Sequence, residues 1–587
     1  MKKTFLLSCL MLAAMPVMAA YTGHVYVDKN KNGVFDQSEK PLAGIKVSDG
    51  LNVVETAADG SFTLPGHERE RFIFITTPSG YKTFNRHYHK IEKKQSGYDF
   101  GLIPYSGRIR KDGSHRYIHI TDTEIFNTEN HADWVNNVHD YARNEQAAFI
   151  IHTGDLCYEK GLKAHIKLMN TENMDCPVFY CIGNHDLVKG KYGEELFESI
   201  YGPVYYSFDA GNVHYVVTPM PGGDHAPGYT SDDVCRWLKN DLAHIRPGTP
   251  VVVFNHDLLT YEDTFIFKSK NAGSINLNEY NLKAWVYGHW HINYMKKQGD
   301  VYSVCTSSLD KGGIDHSTTA FRVMHVDSKG DFTSELRYTY LDKNICIASP
   351  AGVMASGVLP VAVNVYSSVS PVREVLYTCL ADGKPVLKNK RLLQSTDWSW
   401  NGELPLSHKY VGKELTLRVT ARFNNGEIAE AESNFICRTE KAVPLFSADW
   451  DNLSGNAKHS APVSAPLNLP LQLAWTNNVG ANLYMTSPLI HKGKVIVASV
   501  DEDLKGAGHV YALNGKDGTI LWSCPVRNSI KNSIAVDSDI VFAQDAQGFL
   551  YAIDTETGKL CWEKQLPVNG LPALIDGLVA GEGVVYA

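Results

Sequence analysis

No long cluster of Lys and Arg occurs in this chain of 587 residues, and the formal net charge is only −8. A broad nucleic-acid surface is therefore excluded. Beyond the first twenty residues no apolar run is long enough to cross a membrane as a helix. Cysteine is sparse at 11, and its spacings repeat in no way that would mark a disulfide framework. Cys176, Cys181 and Cys305 fall in strand-like apolar runs, where buried free thiols are common. Charged residues reach only 20% while hydrophobic ones make up 44%, a balance that excludes a disordered or coiled-coil protein and fits several globular domains.

The chain opens with Lys2 and Lys3, an apolar stretch FLLSCLMLAAMPVMA and the small residues Ala19 and Ala20. Residues 1–20 thus read as a secretory signal, and the protein is expected in the periplasm, the medium or at the cell surface. Cys9 comes too early in the apolar stretch for a lipoprotein anchor. Residues 21–105 alternate in short runs between Gly, Pro and Asn turns and predict a β-sandwich. Over residues 106–342 strands alternate with helix-period segments, one of which puts Val234, Trp237, Leu238 and Leu242 on a single face. That alternation predicts an α/β domain around a central sheet. Residues 346–440 lose the helices and read as a second, immunoglobulin-like sandwich, followed by a polar stretch over 447–466 that reads as a linker.

The last segment, 470–587, repeats itself: Tyr511 and Tyr551, Gly518 and Gly558, and Trp522 and Trp562 are each forty positions apart. Strands, a D/N-x-x-x-G turn and a closing Trp at this period indicate propeller blades. The pattern resembles the quinoprotein-type (PQQ-like) repeat, which implies a scaffold that binds protein or glycan and no resident quinone. Trp475 would close a preceding partial blade, and GEGVVYA would open a third. Propellers close with four or more blades, so a truncated propeller is expected.

Five apolar runs in the first half end abruptly in metal-capable side chains. RYIHIT precedes Asp122, AAFIIHTG precedes Asp155, CPVFYCIG precedes Asn184, PVVVFN precedes His256, and KAWVYG precedes His289 and His291. Short β-rich runs are buried strands, and ligands gather at the carboxyl ends of such strands, which here predicts one shared edge. Carboxylates, an amide and several imidazoles form a mixed nitrogen and oxygen set that suits Mn, Fe, Zn or Mg better than Ca.

In this order the motifs resemble the calcineurin-like metallophosphoesterases. Gly154-Asp155 stands for the family's GD, Gly183-Asn184-His185-Asp186 for GNHD, His256 for the later isolated histidine, and Gly288-His289-Trp290-His291 for GHxH. The resemblance implies a central β-sandwich flanked by helices and two divalent metal ions. Asp122 and His291 would hold the first, Asn184, His256 and His289 the second, and Asp155 both. It further implies hydrolysis of a phosphate monoester or diester by a metal-bridging hydroxide, with His185 assisting the leaving group and Asp186 orienting its ring. One position departs: Glu124 stands where the family has His. A carboxylate there can still ligate, but it adds negative charge. The competing reading is a surface binding or adhesion protein with weakened catalysis, and Glu124 alone favours it.

A further motif lies in the amino-terminal domain. Asp28, Asn30 and Asn32 alternate before Gly33, with Asp36 and Glu39 behind them, which is the oxygen spacing of a calcium loop.

Overall fold

The computed structural model describes residues 20–95, 97–440, 449–460, 472–567, 572 and 577–587. Residues 1–19, nearly all of the signal expected from sequence, lie outside the described residues.

Strands His115–Ile120, Phe149–His152 and Val178–Tyr180 pair in parallel, and Ala320–Val326 and Phe332–Tyr338 extend the same sheet antiparallel. A second, six-stranded sheet contains Val213–Val217, Val251–Phe254, Leu282–Tyr287 and Val301–Cys305 in parallel, with Tyr206–Ala210 and Tyr294–Gln298 at its edges. Strands such as FIIH and VVVF are buried along their whole length because each sheet is covered on both faces, so apolar runs replace alternation. Aromatic rings fill the space between the sheets: Tyr117 stacks on Phe149 at 4.7 Å, Phe149 meets Tyr215 at 5.0 Å, and Tyr117 meets Phe254 edge-on at 5.7 Å. Two facing sheets thus make the central β-sandwich flanked by helices that the family resemblance implies, whereas the strand–helix alternation by itself marks only a central sheet. A switch between sheets leaves no mark in hydrophobic period, since both are equally apolar.

Helices cover the outer faces. Ser231–Ala243 starts at a capping box in which Thr230 and Asp233 bond each other's backbone, and it buries Val234, Trp237, Leu238 and Leu242. Ala132–Asn144 buries Trp134, Val138 and Tyr141 in the same way.

The flanking regions are all-β. Residues from Tyr21 to Pro104 form two small sheets that close over Val25, Val47, Phe62, Ile73 and Phe100. Residues from Asn344 to Arg438 form a four-stranded and a five-stranded sheet around Val363, Tyr377, Trp400 and Leu417. Behind them, Leu489–His491 to Ile520–Pro525 and Ala535–Asp537 to Leu560–Gln565 make two four-stranded antiparallel sheets. The repeated Trp and Gly lock neighbours together. Trp475 Nε1 donates to Gly515 O at 2.8 Å and Trp522 Nε1 to Thr555 O at 3.0 Å. A Cβ on Gly518 would sit 2.2 Å from Trp475, and one on Gly558 2.7 Å from Trp522, so the turn must carry glycine for the indole to lie on it. Part of the stretch read as a linker belongs to this unit: Trp450 pairs with Ile490, and the Asn452 side chain brackets the backbone of Ala580. Its polar side chains satisfy strand-edge groups, a use that polar composition does not distinguish from solvent exposure.

The blades dock onto the α/β domain through buried charge. Lys531 Nζ contacts Asp315 Oδ2 at 2.6 Å, Glu502 Oε1 at 2.8 Å and the Asn293 carbonyl at 2.5 Å. Arg322, fully buried, reaches Asp503 Oδ1 at 2.6 Å. All ten cysteines among the described residues are free thiols.

Candidate active site

The ligand-bearing residues sit immediately past strand ends, where the chain turns back over the edge. Asp122 follows His115–Ile120, Asp155 follows Phe149–His152, His256 follows Val251–Phe254, and His289 follows Leu282–Tyr287. The shared edge is made by both sheets side by side. Asp122 (φ 49), Glu124 (φ 43), Asp155 (φ 56), His289 (φ 65) and His291 (φ 51) all take left-handed backbone. Such conformations are costly for non-glycine residues and cluster at sites where geometry matters more than local strain. Here they are held by cross-bonds between turns: Asp122 N donates to Gly154 O at 3.0 Å, and Glu124 N to Asp155 O at 3.1 Å. Gly183 is needed because a Cβ there would come within 2.2 Å of Asp155 Oδ1.

Asp122, Asp155 and His256 are almost completely buried. His256 Nε2 lies 3.1 Å from Asp155 Oδ2 and 3.9 Å from Asp122 Oδ1, and His291 Nε2 lies 3.4 Å from Asp122 Oδ1. Asp155, His256 and His289 offer ligand atoms within 4.8 Å of one another, and so do Glu124, Asp155 and His185. His256 Nδ1 donates to the Thr153 carbonyl at 2.7 Å, which leaves Nε2 as the lone-pair nitrogen facing the carboxylates. Asp122 Oδ2 accepts from Thr121 Oγ1 and from His289 N, while its Oδ1 has no hydrogen-bond partner. His256 Nε2 and Asn184 Oδ1 are likewise buried without a hydrogen-bond partner. Orphaned acceptors at this density are costly unless a cation takes them, so the donor set fits a metal centre. When no metal ion is on Nε2, the carboxylates draw a proton there instead: burial alone would depress His256, yet Asp155 and Asp122 outweigh it and raise it to about 10. The cluster attracts positive charge.

Glu124 is half-buried and lies between His291 and Lys311. Its Oε1 stands 3.6 Å from His291 Nε2, and its Oε2 accepts from Lys311 Nζ at 3.0 Å. Lys311 offsets the charge that a carboxylate adds at this position.

Asp186 does not orient the His185 ring. Its carboxylate accepts from the backbone N–H groups of Asp155, Cys157 and Gly183 at 2.9–3.0 Å, tying the GD turn to the GNHD turn. Burial, with the charge of Asp155, pushes it up to about 7. The partner of His185 is instead Asp224, whose Oδ2 lies 2.8 Å from Nδ1. Burial of His185 opposes protonation, but Asp224, Asp155 and Glu124 outweigh it and hold the imidazole above its ordinary range. Sequence reading passed over Asp224; its one signal is Gly223, where a Cβ would meet the Asn184 carbonyl at 2.5 Å. His256 is flanked by Asn255 and Asp257, which repeat the Asn-His-Asp order of residues 184–186; Asn255 binds Thr218 and Pro219, and Asp257 Oδ1 accepts from Trp290 Nε1. Both support loops, and the charge of Asp257 also acts on His289.

In the amino-terminal domain, Asp28, Asn30, Asn32, Asp36 and Glu39 do fold into one loop. Asp28 accepts from Asn32 N and Gly33 N, Asp36 Oδ2 from the amides of Asn30 and Asn32, and Glu39 from Lys29 N and Asp36 N.

Residues 115–293 match the family described as calcineurin-like phosphoesterase, residues 29–104 its N-terminal domain, and residues 472–586 the family described as outer membrane protein assembly factor BamB. Purple acid phosphatase 13 of Arabidopsis thaliana is 26% identical over 215 residues, which cover 34% of this chain and 36% of that protein. The chain thus spans about a third of the length of the curated relative it matches. A predicted phosphoesterase of Streptococcus pneumoniae TIGR4 is 12% identical, covering 38% of this chain and 98% of that one, with a TM-score of 0.19. BamB from Moraxella catarrhalis is also 12% identical, over 46% of this chain and 75% of that one, with a TM-score of 0.15. Superpositions at these scores carry no argument; the family matches and the motif geometry do. The chain therefore contains a calcineurin-like phosphoesterase domain over residues 115–293, preceded by that family's N-terminal domain and followed by BamB-type repeats.

Proposed function

We propose that the protein is an exported, dinuclear-metal phosphoesterase that hydrolyses a phosphate monoester or diester. The observation that carries this reading is the set of orphaned buried atoms, Asp122 Oδ1, His256 Nε2 and Asn184 Oδ1, at an edge where Asp155 and His289 also converge. Asp122 and His291 would hold one ion, Asn184, His256 and His289 the other, and Asp155 both, with Glu124 an added ligand of the first. A pair of divalent cations supplies Lewis-acid polarisation of a phosphoryl oxygen and acidifies water enough to give a nucleophile near neutral pH.

The chain's own residues do the rest. Thr153 O fixes the His256 tautomer so that Nε2 stays available. Asp186 holds the two ligand turns in register through three backbone bonds. His185, with Nδ1 on Asp224, presents Nε2–H to the leaving oxygen and gives it a proton as the ester bond breaks. The negative charge of Asp224 would keep that proton on the ring when divalent ions are bound to the ligand set. The leading segment Lys2 to Ala20 supports export.

The test is a panel of phosphate mono- and diesters after loading with defined Mn, Fe, Zn or Mg. Hydrolysis with about two ions bound per chain is expected. Bound metal with no hydrolysis of any ester would overturn the reading. In the same assay, Glu124→Gln should lower metal content; unchanged occupancy and activity would remove Glu124 from the ligand set.

Calcium is proposed for the loop from Asp28 to Glu39, whose two end carboxylates are buried and whose Gly33 takes φ 72. Millimolar calcium should raise Tm, and an unmoved Tm would sink this assignment.

A further inference from the structure

Two neighbouring aromatic rings stand in solvent, one of them against His185. Phe126 is 58% exposed and Tyr158 43% exposed. Their centroids are 6.4 Å apart with planes only 17° from parallel, and the Tyr158 ring lies 5.2 Å from the imidazole of His185. Exposed aromatics set together beside a polar site are a usual mark of ligand contact, because folding alone gains by burying them.

Neither ring is on a free loop. Tyr158 (φ 50) follows Cys157 (φ 80), and this strained pair is pinned because Tyr158 N donates to His185 O at 3.2 Å and Cys157 N to Asp186 at 3.0 Å. Phe126 follows Ile125, whose N–H donates to Leu156 O at 3.2 Å. Both rings therefore belong to the turns that carry Asp122 and Asp155, and their position relative to the ligand residues is set by backbone bonds. Strain retained next to a reacting centre is paid for by what it positions.

We infer that Tyr158 and Phe126 form a stacking platform for the leaving group, so that the substrate is a phosphoester of a planar aromatic group, such as a nucleoside or aryl phosphoester. This rests on the phosphoesterase reading, which puts His185 on the leaving-group side. The π-faces select flat rings of any edge chemistry, so the platform distinguishes aromatic from aliphatic esters and not one base from another. Tyr261 is 45% exposed and stacks on Trp290, the chain neighbour of His289, with centroids 6.1 Å apart. Among the described residues the ring in contact with His185 is Tyr158, so the Tyr261–Trp290 pair should not influence the leaving group.

The experiment compares kcat/KM for adenosine monophosphate, phenyl phosphate and glycerol phosphate in the metal-loaded full chain. Tyr158→Leu should lose about tenfold to hundredfold on the first two and keep glycerol phosphate hydrolysis within about twofold, on the scale of one lost stacking contact. Tyr158→Phe should restore the preference, and Tyr261→Leu should leave it unchanged. An equal loss on all three esters, or a wild type that does not prefer the aromatic ones, would overturn the platform while leaving the phosphoesterase intact. If the wild type hydrolysed none of them, the phosphoesterase reading itself would fail for this ester class. Calorimetry with a non-hydrolysable adenosine phosphorothioate would then decide stacking alone: binding lost in Tyr158→Leu supports it, and no binding rejects it. A loss confined to phenyl phosphate would assign the platform to aryl rather than nucleoside esters.

Discussion

His185→Ala is expected to lower kcat about 10²- to 10⁴-fold, the usual contribution of a general acid, with both metal positions still filled. The metal count should hold because the ring itself makes no contact that orders the ligands. His185 meets Asp155 through its backbone N–H, 3.0 Å from Oδ1, and alanine keeps that bond. Asp224→Asn should act in the same direction with a smaller loss of about tenfold to hundredfold, as for other residues that orient a reacting group. Its effect should fall on kcat more than on KM, since Asp224 reaches the reaction only through the imidazole. Esters with very acidic leaving groups need little protonation, so the His185→Ala defect should shrink for p-nitrophenyl phosphate. Full retained activity in His185→Ala on an alkyl phosphate would remove the residue from the mechanism.

The second large effect is on stability. Lys531→Met should cost about 3–5 kcal/mol, because it leaves the buried carboxylates of Asp315 and Glu502 without their shared cation. Both carboxylates then repel each other in a region water does not reach. Urea unfolding followed by tryptophan fluorescence gives the loss, and limited proteolysis shows whether the blades come away first. Lys531→Met combined with Asp315→Asn and Glu502→Gln should recover much of it, since the uncompensated charge is then gone. A Lys531→Met protein within about 0.5 kcal/mol of wild type, the ordinary range for exposed sites, would mean that this interface is not formed in solution.

Comparing residues with their final places shows which signals a sequence can carry. Asp122, Asp155, Asn184, His256, His289 and His291 were legible because each ends an apolar strand and each strand end meets the same edge. Their role is local to a few residues of chain, and glycines such as Gly183 mark where turns must approach one another. Asp186 is legible as part of its motif, but its partners are not. The GNHD spacing places it next to His185, yet its carboxylate turns back to three N–H groups of its own and the neighbouring turn. Asp224 was not found at all, since it lies 39 positions from His185 in a loop with no periodicity. Side-chain direction at a turn depends on φ and ψ, and the residue types alone do not state them.

The apolar runs and the forty-residue repeat by themselves determined that there is a shared edge of metal-capable residues, β-rich flanking regions and blade-like sheets, and the resemblance of the ordered motifs made that edge a phosphoesterase-type site. Local patterns suffice there, because strand formation and turn chemistry are set by neighbours in the chain. Only the tertiary structure decided that Lys311 sits on Glu124, that Tyr158, with Phe126 stacked beside it, packs against His185, and that Lys531 joins the blades to the α/β domain. Each of those is a contact between side chains far apart in sequence. Such contacts depend on which surfaces pack together, and burial energy, which is non-directional, leaves no residue-by-residue trace of that choice.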